Sequence, residues 1–302
     1  MPFTRLLVPL DGSHLGEAVL PLVERLAAAC GATLVLLHVV EHAAPADVHG
    51  ERHLTTAPEA AVYLEMVADR LRARGLAVET HAHDIPEGDV ARSIVAHREE
   101  ERADLIVLCT HGRGRVRDLI FGRIAQQVLR RGATPVLLVR PGDDGGAPAF
   151  EPRRVLVPLD GTAAAEVALP PARALAVALH AGLHLVIVVA TRGTMRGDRQ
   201  AVATLLPSAA RAALDLEHED ALTYLDGLAD GLRTADLAVT TEVRRGDVAP
   251  ALADEAAEPG VGLVVVATHG RAGLQAIWAG SVVAQLLART RAPILLLRSI
   301  ER

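Results

Sequence analysis

The stretch that decides the fold occurs twice in the chain. The first copy, residues 105–140, reads LIVLCTHGRGRVRDLIFGRIAQQVLRRGATPVLLVR, and the second, residues 263–298, reads LVVVATHGRAGLQAIWAGSVVAQLLARTRAPILLLR. Each copy is typical of a buried strand, a loop that contains glycine, a helix and a second buried strand. We therefore expect the chemistry of each half at the loop and at the start of the helix.

Other motifs repeat around these copies in the same order. RLLVPLDGS at 5–13 is matched by RVLVPLDGT at 154–162, and GDV at 88–90 by the same letters at 246–248. A repeat in unchanged order indicates a duplication of one domain. The segment PGDDGGAPAFEP is rich in glycine, proline and acidic residues and has no period, as is typical of a linker. The sequence thus predicts one domain over 1–140, a linker over 141–152 and a second domain over 153–302.

Each half is predicted to alternate five strands with four helices. Several strands, such as TLVLLHVV at 33–40, are continuously apolar, which is typical of strands covered on both faces in a parallel sheet. Alternation of this kind implies right-handed crossovers and an open, Rossmann-like or flavodoxin-like sheet with helices on both faces. Ligands of such sheets bind beyond the carboxyl ends of the strands, where the strand order reverses.

Composition narrows the class of protein. The net charge is −6 and aromatic residues make up 2% of the 302 residues, which gives no reason to expect nucleic acid or an anionic membrane as partner. No apolar run approaches the roughly 20 residues that span a bilayer, and the first residues do not read as a signal peptide. The two cysteines, Cys30 and Cys109, form no metal-type cluster, so a reducing cytoplasm fits best.

The second half carries the clearer candidate for an anion site. Its loop places Ala267, two residues, Gly270, nine residues, and then Gly280 and Ser281 at the start of a helix. Glycine lets the backbone approach a bulky anion, and the free N–H groups and positive dipole of a helix start favour phosphate oxygens. Asp160, at the end of the first strand of this half, is an acceptor suited to ribose hydroxyls or to a metal on the phosphates. Taken singly, the Asp160 turn could be only a turn and the Gly–Ser pair only a packing pair.

These motifs together resemble the universal stress protein family, over nearly the whole chain and twice. The resemblance implies an ATP-binding, tandem member, in which the aspartate after the first strand and the residue closing the second strand hold adenosine, and the glycine loop holds the phosphates. In the second half it implies the positions Asp160, Ala190, His269, Gly270, Gly280, Ser281 and Val282. In the first half it implies Asp11, Val39, His111, Gly112 and Gly122.

The first half departs further from the family pattern than the second. Where the family has the first glycine of the loop, the second half has Ala267 and the first half has Cys109. Where the family has serine or threonine after the last glycine, the first half has Arg123. Cys109 adds a side chain where backbone is expected to approach phosphate, and Arg123 either clamps a phosphate or fills the pocket. We therefore expect a weakened or altered first site and a better second one.

The resemblance implies a cytoplasmic regulator that binds ATP with Mg²⁺ and responds to stress or energy state. The chain contains no lysine, and the phosphate-loop signature GxxxxGK[ST] is absent, so we expect little or no hydrolysis. Family members often pair through their last strand, which implies pairing of the two halves within the chain and allows a homodimer. Two alternatives remain open: a nucleotide-free scaffold with decayed pockets, and an enzyme of the adenine-nucleotide α-hydrolase class.

Overall fold

We describe the fold from a computed structural model of the chain. The described residues are 3–41, 47–48, 51–85, 89–110, 123–142, 144–195, 197–269 and 282–299. They form two compact units: Met1–Phe150 with Pro293–Arg298, and Glu151–Ala292 with Ser299–Arg302. Each unit is an α/β arrangement, as the alternation of strands and helices in the sequence predicts.

The first unit is built on a mostly parallel sheet. Its strands are β1 (Arg5–Pro9), β2 (Thr33–Glu41), β5 (Val78–Ile85), β6 (Leu105–Cys109), β7 (Val136–Val139) and, from the end of the chain, β12 (Ile294–Ser299). They lie in the order β5-β2-β1-β6-β7-β12. All the neighbours pair in parallel except β12, which runs antiparallel to β7. The side chains of β2 are buried from Leu34 to Val40, as expected for a strand covered on both faces.

Within its described residues the first unit also has five helices, and a short pair of strands precedes the third of them. The helices are α1 (His14–Glu17), α2 (Leu20–Cys30), α3 (Ala57–Arg72), α4 (Val90–Glu100) and α5 (Arg123–Arg131), and the two short strands are β3 (Asp47–Val48) and β4 (Glu51–Arg52). Gly31 ends α2 in the left-handed conformation, at φ 63°, which the sequence predicts from a glycine at that place. The strands β3 and β4 pair in antiparallel orientation.

The second unit repeats the same plan. Its strands are β8 (Arg154–Leu159), β9 (Gly182–Val189), β10 (Val239–Arg245) and β11 (Val261–His269), in the order β10-β9-β8-β11. Its helices are α6 (Ala163–Glu166), α7 (Leu169–Ala178), α8 (Asp198–Leu205), α9 (Pro207–Leu232), α10 (Val248–Ala256) and α11 (Val282–Arg289). The four strands pair in parallel.

The strand order explains where each candidate site lies. In both units the first strand of the repeat is central, with the second strand on one side and the fourth on the other: β2-β1-β6 in the first unit and β9-β8-β11 in the second. The direction in which successive strands are added to the sheet therefore reverses beside β1 and beside β8. Parallel sheets leave a crevice at that point, outside the carboxyl ends of the strands.

Candidate functional site

The predicted residues of the second half gather at one edge of its sheet. Asp160 follows β8, Ala190 follows β9, and Ala267 and His269 lie in the last three residues of β11. Because these three strands are parallel neighbours, their carboxyl ends meet at the same edge. Val282 is the first residue of α11, at the helix N-terminus that the sequence assigns to the site.

The turn after β8 is exposed and held in shape by its own side chains. Asp160, Gly161 and Thr162 are all exposed to solvent. The Asp160 Oδ1 atom accepts hydrogen bonds from the Thr162 backbone N–H at 3.0 Å and from the Thr162 hydroxyl at 2.6 Å. Thr162 also caps α6, because its Oγ1 accepts from the backbone N–H of Ala165 at 3.3 Å. The carboxylate is thus fixed in direction while it remains open to a ligand from solvent.

Small side chains follow the neighbouring strands. Ala190 is half-buried and packs against a small apolar cluster made of Met195, Ala203, Ala210 and Leu214. Ala267 is half-buried in β11, where the first half has Cys109. Three residues of the predicted site, Gly270, Gly280 and Ser281, lie outside the described residues, and so does the loop that joins β11 to α11.

The matching turn of the first half has a different environment. Asp11 is half-buried, and Ser13 is fully buried, with 0% of its surface exposed. The Asp11 Oδ1 atom accepts from the Ser13 backbone N–H at 3.0 Å and from the Ser13 hydroxyl at 2.7 Å. Ser13 Oγ in turn accepts from the Gly16 backbone N–H at 3.0 Å and so caps α1. The local bonding is the same as in the second half, but the turn is less accessible.

The Asp11 turn is less accessible because residues 51–54, which we call the covering segment, lie against it. A Cβ atom built on Gly12 would lie 2.8 Å from the Leu54 Cδ1 atom, so the side chain of Leu54 lies directly against this turn. The Glu51 carboxylate accepts from the His14 backbone N–H at 3.2 and 3.3 Å. His53 is buried, with 6% exposure, and its ring centroid lies 6.4 Å from that of His38 in β2.

The remaining described positions of the first site are also enclosed. Val39 in β2 is buried. The Cys109 thiol donates to the Leu15 carbonyl of α1 at 3.2 Å, and burial raises the pKa of this thiol to about 12. Arg123 begins α5, and nothing is described of its side chain. His111, Gly112 and Gly122 lie outside the described residues.

Sequence reasoning missed one polar pair beside the second site. The Tyr224 hydroxyl of α9 donates to the Glu166 carboxylate of α6 at 2.8 Å. The pKa of Tyr224 is raised, mainly by burial and then by the negative charges of Glu166 and Asp160. The first half carries Tyr63 and Glu17 at the matching positions. The repeat contains a signal for this pair. Both halves place a glutamate six residues after the turn aspartate, and both place a tyrosine fifteen residues before the start of the third long strand.

Within the part of the chain that the structure describes, no helix is both long and apolar enough to cross a membrane.

Comparison with known proteins assigns the family. The model of the universal stress protein family matches residues 2–140 and again residues 151–298. A universal stress protein of Mycobacterium tuberculosis is 31% identical over 197 residues, which are 65% of this chain and 62% of that protein. The stress response protein NhaX of Bacillus subtilis is 34% identical over 89 residues, 28% of this chain and 54% of that protein. The chain thus spans less than two thirds of the length of these curated relatives.

A solved structure supports the fold over the whole chain. The universal stress protein of Archaeoglobus fulgidus matches with a TM-score of 0.68 and 18% identity, over 99% of this chain and 97% of that one. At that identity the likeness concerns the fold alone. The two matches to the family model cover nearly the whole chain and coincide with the duplication seen in the sequence. The chain belongs to the universal stress protein family, as a tandem member.

Proposed function

We propose that this protein binds ATP in its second half and acts as a regulator of the stress response or of the response to energy state. In the proposed complex, the Asp160 carboxylate and the backbone at Ala190 hold the adenosine. The glycine-containing segment 270–281 and the N-terminus of α11 receive the phosphates, as the spacing of Gly270, Gly280 and Ser281 predicts.

The observation that carries this proposal is the contrast between the two turns. Asp160 is exposed at the carboxyl edge of β8, next to the small residues Ala190 and Ala267. Asp11 is half-buried, with Leu54 against Gly12 and with the Cys109 thiol against α1. Among the described residues, a ligand that places a ribose against the turn aspartate meets fewer side chains at Asp160 than at Asp11. The first half is the altered site in this proposal.

The residues present suit the binding of an adenine nucleotide better than its hydrolysis. An exposed carboxylate suits ribose hydroxyls, and small residues at the strand ends let a ligand approach the backbone. When bound, Mg²⁺ would neutralise part of the phosphate charge. The chain has no lysine to serve in a phosphate loop, so we propose little or no hydrolysis. Binding then acts by stabilising one conformation or assembly over another.

The stress role rests on the relatives, whose names describe stress proteins, and the cytoplasm is the proposed location. We also propose that the two halves of the chain pair through their last strands. The register of β12 against β7 supports this pairing, because Ile294 lies opposite Leu138 and Leu296 opposite Val136, in antiparallel orientation.

Mass spectrometry of the small molecules released from freshly purified full-length protein tests the proposal. The expected result is adenine nucleotide, at no more than about one equivalent per chain. Calorimetric titration with ATP and Mg²⁺ then compares Gly280→Val with the matched variant Gly122→Val. We expect the first substitution to abolish binding, because a branched side chain blocks phosphate approach, and the second to leave the affinity unchanged. Protein that neither releases nucleotide nor binds ATP would instead be a scaffold with decayed pockets.

A further inference from the structure

A small cavity in the first unit lies between strand β5 and helix α4, and none of its lining residues is a predicted nucleotide-site residue. Its volume is about 180 Å³, and its lining residues are His83, Asp89, Arg92, Ser93, Ala96, His97 and Glu100. Two imidazoles and two carboxylates thus line one cavity. Imidazole and carboxylate are the side chains that bind transition metals such as Zn²⁺. Arg92 also lines the cavity and Arg131 pairs with the Asp89 carboxylate, so the two imidazoles and Glu100 are the candidate ligands.

His97 is set up as a metal ligand by its own helix. Its side chain is almost fully buried, with 7% exposure, and its Nδ1 atom lies 3.1 Å from the Ser93 carbonyl oxygen. A carbonyl can only accept, so Nδ1 carries the proton and Nε2 presents its lone pair. Metal-binding histidines are commonly oriented by such a bond from the other ring nitrogen. Nε2 lies 3.8 Å from the Glu100 Oε2 atom, near the roughly 3.4 Å that separates two ligands of tetrahedral zinc.

His83 supplies the second imidazole from the strand. Its ring centroid lies 4.2 Å from that of His97, and the two ring planes cross at 72°. A metal binds the neutral form of such a ring. The donor atoms of His83, His97 and Glu100 do not all lie within 4.8 Å of one another, so binding requires the His83 ring to turn until one nitrogen points at the same place as His97 Nε2.

The matching positions of the second half hold an ion pair instead of two rings. His83 lies five residues after Val78, as Arg244 does after Val239, and both of those valines start a matching strand. His97 lies eight residues after Asp89, as Glu255 does after Asp247. In the second half the pair is an ion pair: Arg244 donates to the Glu255 Oε2 atom at 2.8 Å from Nε and at 2.5 Å from Nη2.

At the matching positions of the first half, two rings contact each other in place of this ion pair. Ser93 Oγ, which also lines the cavity, is buried with no hydrogen-bond partner among the described residues. Buried polar groups normally have partners, so this cluster requires an explanation. Two other groups of carboxylates and a histidine are also paired with an arginine. Arg5 pairs with Glu79 and Glu101, and Arg244 pairs with Glu242 and Glu255. In the cavity of the first unit the two rings contact each other directly, while Arg92 lines the same cavity and Arg131 pairs with Asp89.

We propose that His83, His97 and Glu100 bind a transition-metal cation of the Zn²⁺ class. This site is separate from the nucleotide site and does not depend on it.

The test is a calorimetric titration of the full-length chain with Zn²⁺, after removal of metal with EDTA and without nucleotide. We expect about one equivalent bound at this site and no binding of Mg²⁺, which prefers oxygen ligands. His97→Gln is expected to weaken Zn²⁺ binding at least about 10-fold. The matched control is His81→Gln, which removes a histidine from the same face of the same strand, outside the cavity, and should leave the affinity unchanged.

A second variant separates loss of metal from loss of fold. The double substitution His83→Arg and His97→Glu copies the ion pair of the second half, so the variant should fold in EDTA with a Tm close to that of the parent chain. Its Tm should not respond to Zn²⁺, whereas the Tm of the parent should rise because the metal binds only the folded state. The proposal is overturned if the parent binds no Zn²⁺, if the double variant binds it as tightly, or if His81→Gln weakens it equally.

Discussion

The side chain of Leu54 lies against the backbone of Gly12, so that a Cβ atom added there would stand 2.8 Å from Leu54 Cδ1. Gly161, at the matching place in the second half, has no described atom within 4 Å of such a Cβ. Both glycines have a positive φ, 86° and 81°. The two turns therefore share a backbone conformation and differ in what covers them.

This difference predicts unequal effects of the same substitution. Gly12→Ala and Gly161→Ala should each lose about 1 kcal/mol of unfolding free energy to backbone strain. Gly12→Ala should lose roughly a further 1 kcal/mol, because Leu54 must move from its packed position. Urea denaturation followed by circular dichroism measures both. Equal losses in the two variants would show that the covering segment does not press on the Gly12 turn in solution.

The buried Glu255 of the second unit predicts a large loss of stability on substitution. Only 1% of Glu255 is exposed, and it accepts hydrogen bonds from the His184 ring at 2.8 Å and from Arg244. Glu255→Ala leaves those donors without their acceptor, so we expect a loss of about 3 kcal/mol in unfolding free energy.

The control for this prediction is Glu242→Ala. Glu242 pairs with the same arginine at 2.8 Å, but its side chain is 39% exposed. An exposed pair contributes little, so the loss should stay below about 1 kcal/mol. Similar losses in Glu242→Ala and Glu255→Ala would contradict the view that burial, and not the ion pair itself, sets the cost.

The Cys109 thiol predicts a dependence of stability on alkaline pH. Burial raises the pKa of this thiol from an ordinary value of 9.0 to about 12. Between these values the folded chain keeps a proton that the unfolded chain has lost, so the free energy of unfolding falls as pH rises. The contribution of the protonated thiol to the free energy of unfolding is fully present below about pH 9. It is lost as the pH rises to about 12.

Denaturation at a series of pH values from 8 to 10 measures this effect. The variant Cys109→Ser does not titrate in this range, so its stability should fall less steeply than that of the parent chain. Alkylation by iodoacetamide at pH 8 should also be slow at Cys109 until the chain unfolds, because the thiolate is the reactive form. A parallel decline of the two proteins, or rapid alkylation of the folded chain, would contradict the enclosed position of this thiol.

The sequence predicts the strands and the duplication well, for physical reasons. Continuous apolar runs such as β2 have few other stable places than a covered parallel sheet, and a glycine such as Gly31 marks a helix end because it accepts a positive φ. The α/β class and the family, both predicted from the repeated motifs, are confirmed. The residues of the nucleotide site remain a prediction.

The covering segment could not be predicted in the same way. Residues 51–54 have no period and lie far from Gly12 in the sequence, so only tertiary packing brings Leu54 to that turn. The ring contact of His83 with His97 is also invisible in one half alone. It becomes noticeable when the halves are aligned, because the second half has Arg244 and Glu255 at the same positions.

The central claim is that the second half holds the nucleotide, and a pair of aspartate variants tests it most directly. Asp160→Ala and Asp11→Ala remove the same carboxylate from matching turns, and each loses the same bonds to the following serine or threonine. Calorimetric titration with ATP and Mg²⁺ should show that Asp160→Ala reduces the affinity at least about 10-fold, because one charge-assisted hydrogen bond is lost. The affinity of Asp11→Ala should be unchanged. Undiminished affinity in Asp160→Ala, together with a loss in Asp11→Ala, would contradict the account.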